Sequence, residues 1–151
     1  MFNNLSPSAR VAIVGNIDPD AYSASTVTTG WIAAKNFHSF MALVLAGDLG
    51  ASATIDAKIE QASDSSGTGA KDVSGLAITQ LTKAGSDDNK QAVINIDPVA
   101  DLDRANGFDY FRLSITVGTA ACDAGGIVLG LNPRYGAATA ADAATVDEVV
   151  G

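Results

Sequence analysis

Period-two alternation is the strongest pattern in the chain. In residues 53–61, Ala53, Ile55, Ala57 and Ile59 alternate with Thr54, Asp56, Lys58 and Glu60, which sends one row to a buried face and the other to water, as in a half-buried strand. Residues 108–117, FDYFRLSITV, repeat the pattern with β-branched and aromatic side chains. They predict Phe111, Leu113, Ile115 and Val117 inward and Tyr110, Arg112, Ser114 and Thr116 outward. The runs FMALVLAG (40–47) and GIVLGL (126–131) are continuously apolar yet short, and read as central strands covered on both faces. Four more segments, 9–14, 26–33, 77–81 and 91–96, are bounded by Gly, Pro, Asp or Asn. Eight short strands at this spacing predict an all-β fold, an antiparallel β-sandwich of jelly-roll type.

Helical signals are few. Asp97-Pro98 has the N-cap and first-turn chemistry and Asn106-Gly107 the C-terminal chemistry of one short helical turn. The termini are expected to be extended. Residues 1–20 form an N-terminal arm or edge segment, 21–136 the sandwich domain, and the Ala-rich 137–151 a tail that is mobile or docked on a partner. A chain of 151 residues fits one domain whose core buries roughly 70% of the unfolded surface.

Composition narrows the function classes. Only 17% of residues are charged, against about 25% in ordinary domains. Ala, Ser, Thr and Gly take their place, leaving neutral surface for neighbouring chains. The net charge is −8 and the cations form no cluster, which disfavours nucleic acid and anionic membranes as partners. No stretch approaches the ~20 apolar residues of a membrane helix, and the N-terminal apolar run is short for a signal peptide. The chain is expected to be soluble and made in a cytoplasm.

Candidate chemistry is sparse. The loop 63–72, SDSSGTGAKD, has glycines before a lysine, but a phosphate cradle needs a helix on its C-terminal side and Ser or Thr after the lysine. Residues 72–81, DVSGLAITQL, read instead as a strand, so the loop is expected to be an exposed turn. Acidic pairs at Asp18 and Asp20, Asp87 and Asp88, and Asp101 and Asp103 lack the run of oxygen ligands of a calcium loop, and read as solvated turns. His38 and Cys122 are each the sole residue of their type. His38, at the entry of a strand beside Phe37 and Phe40, is expected to pack or cap there, Cys122 to be an unreactive thiol, and Trp31 to anchor the core. No catalytic, cofactor or metal residues are expected.

The ordered phrases GWIAAKNFHSFMALVLAGDLGASATIDAKIEQASDSSGTGAKDVSGLAITQLT, KQAVINI, FDYFRLSITVGT and VLGLNPRYG resemble small structural proteins encoded among the head genes of tailed bacteriophages, over roughly residues 30–136. The resemblance is to capsid decoration, or cement, proteins. It implies a β-sandwich virion component without enzymatic activity or cofactor, bound in many copies to the outer surface of a shell of major capsid protein, in homotrimers where capsomers meet. Both ends, 1–20 and 136–151, are then candidates for arms that reach neighbouring subunits. Two other readings stay open: a tail or head–tail connector subunit, and a carbohydrate-binding module using Trp31, Tyr22 or Tyr135 as a stacking face.

Overall fold

The computed structural model describes residues 6–151. Ten antiparallel strands form two packed sheets. They are β1 (Val11–Tyr22), β2 (Ser25–Thr28), β3 (Ile32–Ala33), β4 (Phe37–Leu49), β5 (Thr54–Ala62), β6 (Lys71–Ala77), β7 (Leu81–Thr82), β8 (Gln91–Ile96), β9 (Tyr110–Gly118) and β10 (Cys122–Pro133). One sheet has the order β1-β10-β4-β8 and the other β2-β9-β5-β6, with β3 extending the pairing on β9 and β7 on β5. Counting β2 with β3 and β6 with β7, eight strands cross repeatedly between the sheets, which is the jelly-roll arrangement.

The core lies between the sheets and follows the alternation. Phe111, Leu113, Ile115 and Val117 face inward, as do Ile55, Ala57 and Ile59. Register links the two rows directly, since Ala57 lies opposite Ile115 and Ile59 opposite Leu113. Ser114 lies on the outer face as expected but is covered, because it is small and flanked by Lys58 and Thr28 on the adjacent strands. At one end, Phe37, Phe40 and Phe111 pack edge to face with centroids 5.6 and 4.7 Å apart, a favoured geometry for aromatic pairs.

Several boundaries differ from expectation. The segment 77–81 is mostly connector, and the strand is Lys71–Ala77. It was obscured because only Val73 is buried and Gly75, at φ +80°, interrupts the alternation. Residues 11–20, read as arm or edge, are edge strand β1, paired with β10 from Val11 to Tyr22. Residues 1–5 of that segment lie outside the described residues.

The C-terminal segment is also no free arm over its first part. Ala138 is fully buried, the Ala143 N–H donates to the Ile13 carbonyl, and the Ile13 N–H donates to Asp142. The tail thus occupies the edge of β1 that would otherwise offer unpaired backbone groups. The expected turn at 97–107 is present. Asp97 accepts from the Val99 and Ala100 N–H groups, and the Arg104–Asn106 turn ends at Gly107 with φ +84°.

The loop between β7 and β8 supplies a pH prediction. Hydrogen bonds from Lys83 and then from the Leu49 N–H hold the Asp88 carboxyl below its ordinary 3.8. The Thr82 N–H and then Lys90 lower Asp87 in the same way. Their contribution to stability is complete above the unfolded value and is lost as pH falls through the lowered folded values. The expected thermal midpoint is flat down to about pH 5 and declines below the carboxylate range. Asp88→Asn should flatten that decline in a melting series across pH.

Candidate functional surface

The sandwich has two outward sheet faces, and they differ in chemistry. On the face of β2-β9-β5-β6, outward positions are hydroxyls and charges. Thr26 and Thr116 hydrogen-bond at 2.8 Å. Arg112 Nε meets Glu60 at 2.7 Å, and Lys58 meets Asp72 at 2.7 Å. Trp31 joins this surface and does not anchor the core as expected. Ile32 next to it points inward, so Trp31 points outward, where the Arg112 guanidinium stacks 4.4 Å from its ring. The stacking and ion pair hold Arg112 between Trp31 and Glu60.

The β1-β10-β4-β8 face is apolar. Successive rows run Ile13–Leu129–Met41–Asn95 and Asn16–Ile127–Leu43–Val93 across the four strands. Val11 beside Leu131 extends the patch at one end, and Leu45 beside Gln91 at the other. Leu45 is 38% and Val93 52% exposed, and the other apolar members are half-buried. No charged side chain stands in these rows. The continuous runs in β4 and β10 therefore cover one layer of core with one set of side chains and leave the other set facing water. Their expected second cover is missing among the described residues.

Charge collects at the two ends of this face. Six of the nine cations are ion-paired among the described residues: Lys58, Lys71, Lys83, Lys90, Arg104 and Arg112. The remaining three, Arg10, Lys35 and Arg134, all stand where β4 begins and β10 ends, and Arg10 lines a 400 Å³ pocket there with His38, Asn132 and Pro133. At the opposite end Asp20 and Asp123 border an open groove of 540 Å³ with Pro19, Leu45 and Gly125. Asp48 lies beside them at the end of β4.

The other candidate residues find local uses. Asp64 accepts from the Ser66 and Thr68 N–H groups at 2.9 and 3.0 Å. Its pKa is lowered, first by Thr68. Gly67, at φ +86°, leaves room for the Trp31 indole, whose Nε1 lies 2.6 Å from where a Cβ would stand. Lys71 is held 2.7 Å from Asp103 and over the Phe108 ring. Loop 63–72 is thus a closed turn between β5 and β6, its lysine engaged elsewhere. Asp101 accepts from the Asp97 N–H, Asp103 from Lys71 and Asn106, and Asp18 from Asn16. Among the described residues no three His, Cys, Asp or Glu side chains converge.

His38 is exposed and does not pack with the phenylalanines as expected; Phe37 and Phe40 both turn inward and leave it on the rim. Cys122 is 1% exposed, and burial raises its thiol pKa. Cys122 pairs with Leu49 while Pro133, beside His38, pairs with Phe37, so the sole thiol and sole imidazole stand at opposite ends of one strand pair, roughly 35 Å apart at 3.3 Å per residue. The three aromatics do not share a stacking face. Tyr22 is at the Cys122 end of β10, Tyr135 lies beyond the Pro133 end, and Trp31 is on the other sheet.

No protein-family model and no curated protein matches the sequence. Among solved structures, the chain is similar to one in the T13 viral particle of infectious bursal disease virus, at 14% identity and TM-score 0.48, over 85% of this chain and 35% of that one. It is similar to a chain of naturally occurring empty cowpea mosaic virus particles at 9% identity and TM-score 0.45, covering 89% and 88% of the two chains. A xylanase of Cellvibrio japonicus solved with xylopentaose matches at 14% identity and TM-score 0.36, over 83% of this chain and 27% of that one. The chain spans about a third of the length of the bursal disease virus chain. The strand order, not these distant likenesses, defines the fold.

Proposed function

We propose that this chain is a non-enzymatic structural protein of a virus particle, and specifically a decoration, or cement, protein on the outer surface of a tailed phage's shell of major capsid protein. The observation that supports this most is the asymmetry between its sheet faces. A face carrying Ile127, Leu129, Leu131, Met41, Leu43 and Leu45 together is the kind of contiguous apolar patch that marks a protein interaction site. The opposite face, built of hydroxyls and ion pairs, is suited to permanent contact with water.

Repetition makes such a subunit effective. On a shell that presents the same surface many times, modest contacts multiply through avidity. The acidic balance, −8, suits a position outside a genome-filled shell, where contact with phosphates is avoided. The resemblance over residues 30–136 points to the same role. Among the described residues, His38 and Cys122 stand at opposite ends of one strand pair.

The test is binding of the purified chain to capsids of the virus that encodes it, assembled without the chain. Saturable co-sedimentation and a higher capsid melting temperature are expected, with added density on the outer surface by electron cryo-microscopy. Capsids that neither bind the chain nor gain stability would overturn the decoration role. Density confined to the neck or tail would replace it with a connector or tail subunit.

A further inference from the structure

We infer that the β1-β10-β4-β8 face is a self-association surface, on which a second copy of this chain packs face to face with its strands running the opposite way. Three observations converge on a second copy as the occupant. The face is uncharged at its centre, around Ile127, Leu43 and Val93. It also has the right extent: three strands of 12 or 13 residues and one of 6, ~4.8 Å apart, span roughly 600 Å² in plane, near the ~800 Å² per partner of a standard interface. Finally, its ends carry opposite charges. Arg10 stands at one end, Asp48 and Asp123 at the other.

The charge placement is self-complementary by register. Val11 pairs with Leu131, which sets Arg10 level with Asn132, while Asp123 lies on the same strand near its start. Both are about 4.5 residues from the midpoint between Ile127 and Val128. A two-fold axis through that midpoint, perpendicular to the strands and in the plane of the interface, brings each copy's Arg10 toward the other's Asp123. A two-fold interface makes each such contact twice. Neither Arg10 nor Asp123 has an ion-pair partner among the described residues, whereas Lys58, Glu60, Asp72 and Arg112 on the polar face are ion-paired. Rim pairs of this kind set orientation, and the apolar centre supplies affinity. The pairing goes beyond the decoration reading and occupies the same apolar face, so a paired subunit would meet a capsid through its remaining surfaces; being two-fold, it also differs from the three-fold grouping implied by the family resemblance.

The experiment is sedimentation equilibrium of the full chain over a wide concentration range, with far-ultraviolet circular dichroism to verify folding. A dimer of twice the chain mass is expected. Leu43→Lys, at the centre of the face and outside the core, should weaken it at least about tenfold, while Thr116→Lys on the other face leaves it unchanged. Arg10→Glu should weaken the dimer a few-fold, and adding Asp123→Arg should restore it. A monomer at every concentration, a trimer, or a dimer indifferent to Leu43→Lys would each overturn the inference. The virion role is tested separately: a monomer that still binds capsids keeps that role and overturns the pairing, whereas a dimer without affinity for capsids does the reverse.

Discussion

Phe111→Ala is expected to lower the unfolding free energy by about 3–5 kcal/mol, seen as a drop in the urea midpoint with little change in slope. Phe111 has no exposed surface and lies opposite Ile32 and Gln61 in its sheet, with the Phe40 ring 4.7 Å away across the core. Removing the ring deletes transfer free energy and opens a cavity. Neighbours on three strands of two sheets cannot collapse into that space together. Tyr110→Ala, one residue earlier on the outward side of the same strand, should cost much less. The contrast tests the register, because a one-residue slip would exchange the two effects. A loss below about 1 kcal/mol at Phe111 would place that ring outside the core.

The outline of the fold was legible because alternation is a local consequence of burial. Ile55, Ile59, Leu113 and Ile115 declare their face within a few residues of sequence, whatever the strand order. Strand β6 was hidden because Val73 is its only buried residue, and one buried position cannot show a period. Trp31 was misplaced for a different reason. Its size favours a core, but it comes after a Gly and before inward Ile32, and the arginine that covers it comes from β9, far along the chain.

The candidate surface was half legible. The apolar runs of β4 and β10 announced strands with two covers, and one cover is the second sheet. The other is not present among the described residues, which leaves Leu43, Leu45 and Ile127 facing outward. The opposite charges at its ends were not legible, since Arg10 and Asp123 take their places on one face only through the pairing of β1 and β10. Likewise, nothing in the Ala-rich tail forecast its docking on β1, which rests on backbone donors and on Asp142.

Gly130→Ala tests how tightly the core is fitted, and its sign depends on a second residue. In a strand, replacing Gly by Ala ordinarily stabilises by about 0.4–1 kcal/mol, because the unfolded chain loses freedom. At Gly130 the new Cβ would lie 2.6–2.8 Å from three atoms of the Phe37 ring. That ring is itself 1% exposed and set edge to face against Phe40, so it cannot swing aside. Overpacking of this kind costs about 1–3 kcal/mol, more than the entropic gain, and Gly130→Ala should be destabilising. In a Phe37→Leu background the rigid obstruction is replaced by a smaller, flexible side chain, and the same change should become neutral or stabilising. The two substitutions are therefore expected to couple by more than about 1 kcal/mol in a double-mutant cycle. Simple additivity would mean that Phe37 does not occupy the space the glycine leaves.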